Sequence, residues 1–258
     1  MIFRRIIYTA LFVGLLSGLV LSAAQMATVN PIIFAAESYE SEGAVVGHDH
    51  GSHDHGDSWA PEDGAERTAY TVFANVSAGI GFAAILLALM SQLQLSGVTQ
   101  LSLSKGLLWG IAGFVAVFVA PAIGLPPEIP GIQAAAIEKR QLWWILAVVA
   151  VAAGLLILSF APFKYKALGL ISLVIPYVVS IPHHQGPTFA HPDPSVVEAL
   201  TRLHEQFLLS SAISNLLFWL ALGVIAAWAL NRWVVPVDAV ASHNPKLSDI
   251  GSDDNEGT

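Results

Sequence analysis

The sequence predicts an all-α membrane protein whose transmembrane helices, about six in number, pack as a bundle. Of its 258 residues, 55% are hydrophobic and only 12% are charged. The mean hydropathy of +0.64 is high for a soluble domain. Lipid admits only helices or closed barrels, and the long apolar runs lack the alternating pattern of barrel strands. Helices are therefore predicted for these runs.

Six apolar runs are separated by polar or proline-containing segments, at about residues 6–27, 69–90, 106–125, 142–161, 167–181 and 207–230. All but the fifth exceed the roughly 18 residues of a spanning helix. The first run follows Arg4 and Arg5 and also resembles a cleavable secretory signal, which would leave five spans. Its length favours a retained span. Small residues four apart predict close helix packing in three pairs, Gly14 with Gly18, Ser77 with Gly81, and Gly106 with Gly110.

The fifth run is short and contains Pro176. Transporters often place unwound backbone and a binding site in such a segment. The other interpretation is a kinked helix with a polar outer turn, and the sequence does not separate the two.

Lysine and arginine predict a cytoplasmic N-terminus. In that orientation seven of these residues lie inside and four outside, the four being Arg67, Lys139, Arg140 and Arg202. Fourteen of the nineteen acidic residues and eight of the nine histidines then face outward. An anionic outer face concentrates cations and repels nucleic acid.

The chain divides into a membrane bundle over residues 1–232 and an acidic cytoplasmic tail over residues 233–258, which we expect to be disordered. Residues 37–68 form the longest loop of the bundle, on the periplasmic side. That loop is rich in histidine and acidic residues and has no apolar period, so no packed core is expected in it.

The centre of this loop predicts a binding site for a divalent metal ion. It reads His48-Asp49-His50-Gly51-Ser52-His53-Asp54-His55. Imidazole and carboxylate groups bind divalent transition metals. One site with four imidazoles and two separate half-sites are both compatible with the spacing, and a merely solvating linker is the alternative. Capture of the ion is favoured over a role as the transport site. The chain has no cysteine, so thiolate sites are excluded.

Further candidate ligands lie near the outer ends of the spans, namely Glu128, His183, His184 and His204. Glu128 lies in a segment with four prolines in ten positions, so it is either a ligand at a pore mouth or part of a stiff cap. Four polar residues within spans are candidates to line an ion path: Gln25, Asn75, Ser211 and Asn215. Interhelical hydrogen bonding is their alternative role. No span carries an aspartate, glutamate, lysine or arginine in its middle, so no proton relay is predicted.

Several motifs follow one another in order along residues 1–232: Gln25, Pro31, Ala36-Glu37, Tyr39-Glu40, the His-Asp loop, Trp59-Ala60-Pro61-Glu62-Asp63-Gly64, Ala74-Asn75, Gly106-Leu107-Leu108-Trp109-Gly110, Ala120-Pro121, Gly124-Leu125-Pro126-Pro127-Glu128 and Arg140-Gln141-Leu142-Trp143-Trp144. Together they resemble the CbtA family of probable cobalt transporter subunits. The resemblance implies a bacterial inner-membrane protein that takes up cobalt for cobalamin synthesis. It also implies a small single-span partner subunit of the CbtB type with its own histidine motif. It implies no catalytic residues.

The predicted function is therefore a subunit for uptake of divalent transition-metal ions, not an enzyme, with no tightly bound cofactor. Cobalt rests on the resemblance alone, because imidazole and carboxylate sites bind nickel and zinc at least as readily. A membrane-anchored metal sensor or chaperone without a permeation path is the alternative function. A metalloenzyme is disfavoured because the adjacent His183 and His184 lack the helical His-Glu-x-x-His spacing. No phosphate-binding loop for ATP is present in the sequence.

Overall fold

The computed structural model describes the backbone of residues 2–46 and 61–234, and the side chains of residues 2–39 and 61–234. The all-α fold class is confirmed: within the described residues the chain is helical, apart from loops and one isolated antiparallel bridge between Ile132 and Phe189. The α-helices are α1 (Ile2–Thr28), α2 (Asn30–Val46), α3 (Ala65–Leu95), α4 (Leu103–Phe114), α5 (Ala120–Gly124), α6 (Ile137–Phe160), α7 (Lys166–Val178) and α8 (Pro194–Ala229). A π-helical turn over Val115–Val119 joins α4 to α5, and another over Leu230–Val234 ends α8.

Five helical stretches in the described part of the chain are long and apolar enough to cross a membrane. They are α1, α3, Leu103–Gly124, α6 and Pro194–Val234. The shortest has 22 residues, which corresponds to about 33 Å at 1.5 Å per residue. The hydrocarbon core of a bilayer is about 30 Å thick, so each of the five stretches is long enough to cross it.

The fifth predicted span is a shorter helix followed by extended chain. α7 has 13 residues, or about 20 Å, and continues two residues past Pro176 to Val178. It packs antiparallel to α6: the Ser172 hydroxyl donates to the Ala150 carbonyl at 2.7 Å, and four residues later the Pro176 carbonyl accepts from Trp143, earlier on α6. The segment after α7 then reaches the loop before α6, where Gln133 N–H donates to the Thr188 carbonyl at 3.0 Å. The chain therefore returns to the end at which α6 begins, with extended residues completing the distance that α7 does not cover.

The start of the predicted outer loop is helical. α2 runs through to Val46, so the residues from Glu37 to Val46 belong to a helix and not to the loop over residues 37–68. Ile33, Ala36 and Tyr39 lie at helical spacing and pack in one apolar cluster, which carries the helix past the start of the predicted loop. In the sequence, the acidic residues and serines that follow Ala36 show no apolar period.

The contacts divide the chain into two compact units. The first comprises the described residues of Met1–Leu19, Ala74–Gly110 and Leu220–Thr258. Its helices approach closely at glycines. A β-carbon at Gly14 would lie 2.4 Å from the Cα of Ile80, and one at Gly106 would lie 2.7 Å from the Gly223 carbonyl oxygen. The predicted packing roles of Gly14 and Gly106 are thus confirmed.

The prediction for Gly81 is wrong. A β-carbon there would meet nothing within 4 Å, whereas one at Gly79 would lie 2.6 Å from the Gly14 carbonyl oxygen. Residues two apart point to different sides of a helix, so only one of these glycines faces α1.

The second unit comprises Val20–Phe73 and Ile111–Trp219, again in their described residues. One apolar cluster joins α2 and α8 to the loops before α6 and α8, through the buried residues Val29, Ala36, Ile129, Phe189, Leu200 and Phe207. Trp143 on α6 is 4% exposed, and its indole N–H donates to the Pro176 carbonyl at 3.1 Å. The Tyr177 hydroxyl donates to the Ala120 carbonyl at 2.9 Å. These two bonds hold α7 against α6 and α5.

Candidate metal-handling site

The histidine segment lies outside the described residues. This applies to six of the predicted ligands: His48, Asp49, His50, His53, Asp54 and His55. Their role stays a prediction. The described part of the chain does contain the helices on either side of the segment, α2 and α3, and the remaining candidate ligands.

An ion pair joins these two helices. Arg67, near the start of α3, contacts both carboxylate oxygens of Glu37 on α2, at 2.9 Å and 2.5 Å. Its guanidinium also pairs with Asp63 at 3.1 Å and lies 4.8 Å from the centre of the Phe34 ring. A bidentate pair of this kind is both directional and strong. It brings together the two chain segments between which the histidine segment is inserted. Sequence reasoning assigned no partner to Arg67 or Glu37.

Glu128 is engaged by a cation. Its Oε2 accepts a hydrogen bond from Arg140 Nη2 at 2.5 Å, and the two side chains are 27% and 28% exposed. The proline-rich loop and α6 are thus joined by an ion pair. A metal ion would have to compete with the guanidinium for Oε2 or bind at Oε1.

His204 on α8 contacts the same loop. Its Nε2 lies 3.0 Å from the Pro127 carbonyl oxygen, so the nitrogen donates and the neutral ring carries its proton there. The imidazole also stands edge-on to Phe189, with ring centres 6.4 Å apart. Only Nδ1 is then left to bind a metal. The structure brings His204 and Glu128 to one loop, where His204 is bonded to the Pro127 carbonyl and Glu128 to Arg140.

His183 and His184 are exposed and line an open pocket of about 830 Å³. They lie in the extended segment after α7, and the opposite wall is the first turns of α6, including Lys139 and Trp143. Two adjacent imidazoles provide nitrogen donors for a divalent ion, whereas the Lys139 ammonium repels a cation in the same pocket. The pocket therefore combines two nitrogen donors with one cationic side chain.

The residues predicted to line an ion path lie on α1, α3 and α8. The Asn215 amide donates to the Ser211 carbonyl one turn earlier on α8, at 2.9 Å. A contact between helices comes instead from Ser214, which is fully buried and lies 3.2 Å from the Thr28 hydroxyl. Gln25 is one turn before Thr28 on α1 and is half-buried, as is Asn75, which belongs to the first unit. Sequence reasoning missed Thr28 and Ser214. Ser214 is next to Asn215 and three positions from Ser211, and only the packing shows which of these side chains contacts α1.

Asp193 begins α8 and acts as its cap. Its carboxylate accepts hydrogen bonds from the Ser195 hydroxyl at 2.7 Å and from Ser195 N–H at 2.8 Å. The hydroxyl bond is the main reason that the Asp193 pKa lies below its ordinary value. Because the folded pKa is depressed, the contribution to stability is present above the unfolded pKa and disappears as the pH falls through the folded one.

No three histidine or acidic side chains within the described ranges lie close enough together to form a metal cage. The candidate ligands among the described residues form two separate groups instead. One is the loop at Glu128 and His204, and the other is the pocket at His183 and His184. Each offers at most a partial coordination shell, so a closed structural or catalytic metal centre is not built by these residues.

The long apolar helices define a multi-pass α-helical membrane protein. Comparison with known families then specifies which kind. The model of the CbtA family, described as probable cobalt transporter subunit, matches residues 3–231, and the chain belongs to that family. The resemblance drawn from the sequence motifs is thereby confirmed. The chain matches no curated protein and no solved structure.

Proposed function

We propose that this chain is the membrane subunit through which a bacterium takes up divalent transition-metal ions, with cobalt for cobalamin synthesis as the main cargo. The observation that carries the proposal is the family match over residues 3–231. Family membership supports cobalt and ion transport, whereas the order of events below is argued from the residues.

The first event is capture by the histidine segment, residues 48–55. The Arg67–Glu37 pair supports this step, because it ties together the two helices that flank the segment. The captured ion next meets His183 and His184 in the open pocket. The Lys139 charge in that pocket shortens its stay and favours onward transfer.

The ion then moves along polar groups of α1 and α8, among them Thr28, Ser214 and the backbone near Ser211. The driving force comes from a partner subunit or from the membrane potential. For a divalent ion the potential supplies roughly 4.6 kcal/mol per 100 mV, twice the value for one charge. A small single-span subunit of the CbtB type with a histidine motif is the proposed partner.

Charge distribution supports an N-terminus in the cytoplasm and a periplasmic histidine segment. The described part of the first unit carries Arg4, Arg5, Lys105 and Arg232 and no acidic residue. Basic residues beside spans favour the cytoplasmic side. Because the chain has no cysteine, this orientation is directly measurable. An impermeant maleimide should label Ser52→Cys in intact cells and Ser104→Cys only after permeabilisation. The reverse pattern would refute the orientation.

Uptake of radioactive cobalt into proteoliposomes, with and without this chain and its partner, tests the function. Deleting residues 48–55 should raise the half-saturating cobalt concentration and leave the maximal rate nearly unchanged. Replacing both His183 and His184 by alanine should lower the maximal rate several-fold. His191→Ala is the matched control, since His191 is not among the residues that line the pocket. Excess nickel and zinc measure selectivity. Equal uptake with and without the chain would refute the proposal.

A further inference from the structure

A second cavity lies in the first unit, at the end of the spans where α1 begins and the π-helical turn of α8 closes. It has a volume of about 320 Å³ and is lined by Arg5, Tyr8, Thr9, Phe12 and Trp233. None of these residues belongs to the proposed metal route. We propose that this cavity binds the headgroup region of an anionic phospholipid, with the lipid phosphate at Arg5.

The aromatic side of the cavity is built in advance. Phe12 and Trp233 pack edge to face with ring centres 5.0 Å apart, and Trp228 meets Trp233 in the same way at 5.1 Å. Such edge-to-face contacts hold the rings in defined positions. Trp228 and Trp233 remain 45% and 37% exposed, so the wall they form is open to lipid. Tryptophan prefers the interface between hydrocarbon and headgroups.

The cavity itself is apolar, and Arg5, whose side chain is exposed, lies at its edge. Arg5 and Phe12 mark the two levels of the site. They are seven residues apart on α1, which is about 10 Å along the helix axis. This separation places the guanidinium at the level of headgroups when the rings lie at the start of the acyl chains. A guanidinium pairs with phosphate oxygens through two parallel hydrogen bonds. The cavity is therefore complementary to an amphiphile with a phosphate at one end.

The surrounding charge favours an anionic lipid over a zwitterionic one. Four cations and no carboxylate occur in the described residues of the first unit. Basic pockets between spans commonly bind anionic headgroups for this reason. The acidic segment over residues 235–258 is the competing anion. Its carboxylates would satisfy Arg5 but would gain nothing from the exposed aromatic wall, whereas a lipid covers both.

Native mass spectrometry of the purified full-length chain tests this inference. Phosphatidylglycerol and phosphatidylcholine are titrated separately, and Arg5→Gln is compared with Arg4→Gln. The two variants lose the same charge from adjacent positions, but only Arg5 lines the cavity. We expect Arg5→Gln to weaken phosphatidylglycerol binding about tenfold, since it removes a charge-assisted pair. Arg4→Gln should change it less than twofold, and Trp233→Ala should weaken binding of both lipids.

Equal losses in the two arginine variants would show attraction by diffuse charge and would overturn the site. Displacement of the lipid by millimolar inorganic phosphate would show a site for free phosphate, which also overturns it. A tenfold gain in lipid affinity on deleting residues 235–258 would identify that segment as the occupant in the full chain and would overturn the proposal. Unfolding temperatures of the variants serve as the folding control. No metal ion enters the experiment, so its outcome is independent of the proposed transport function.

Discussion

Breaking the ion pair between Glu128 and Arg140 will distinguish a metal ligand from a structural cap, and we predict the cap. Glu128→Gln keeps the shape of the side chain and removes its charge. If the carboxylate serves to hold the proline-rich loop against α6, the variant should lose stability and keep its affinity for metal. If it serves as a ligand, metal affinity should fall about tenfold or more while stability changes little.

The magnitude follows from the geometry of the pair. A charge-assisted hydrogen bond contributes about 1.5–3 kcal/mol, and partial exposure reduces this value. The two side chains are about a quarter exposed, so we expect Glu128→Gln to cost about 1–2 kcal/mol in the free energy of unfolding. Arg140→Gln should cost less, because Arg140 Nε is buried and finds no hydrogen-bond partner among the described residues. Removing that side chain removes an unsatisfied group as well.

Unfolding in detergent micelles measures the stabilities, and calorimetry with Co²⁺ measures the affinity. The double variant should be no less stable than Glu128→Gln, with a coupling energy of about 1 kcal/mol. Glu198→Gln provides a matched control. The Glu198–Arg202 pair has the same 2.5 Å separation but is about two-thirds exposed, so its loss should cost under about 0.5 kcal/mol. Unchanged stability together with a large loss of cobalt affinity in Glu128→Gln would refute the reasoning.

Two further substitutions test the packing of the helices, both followed by the same unfolding measurement. Gly106→Ala places a methyl group 2.7 Å from the Gly223 carbonyl oxygen and should lower the free energy of unfolding by about 1–3 kcal/mol. Gly81→Ala is the control, because its methyl group meets open space, and it should be neutral or slightly stabilising. A similar loss of stability in both variants would contradict the assigned contact at Gly106. Trp143→Phe leaves the Pro176 carbonyl without its indole donor and should cost about 1–3 kcal/mol, whereas an unchanged unfolding midpoint would mean that the bond contributes nothing.

The spans were predictable because each depends on a property of consecutive residues. Apolar runs longer than the bilayer is thick indicate helices wherever they occur, and all five long spans are found within the described residues. α7 shows where this reasoning ends. Its run reads as apolar through Ile181, but the helix stops at Val178. Proline lowers helical stability without specifying the residue at which the helix ends.

The candidate site was predictable by residue type and much less by arrangement. His183, His184 and His204 were identified as donors, yet their surroundings came from the structure: Lys139 beside the first two and the Pro127 carbonyl at the third. The extent of α2 was also missed. The sequence after Ala36 is acidic and has no apolar period, and only the structure shows that the helix continues through it to Val46.

The sequence by itself determined that this protein is a multi-pass helical membrane protein and to which family it belongs, because hydropathy and ordered motifs are readable along a single chain. Tertiary structure decided which charges meet. The pairs Glu37–Arg67 and Glu128–Arg140 join residues 30 and 12 positions apart, and sequence alone shows no preference for these partners over other nearby charges. Electrostatic pairing depends on distance in space, and that distance exists only once the helix ends and loops have been brought together.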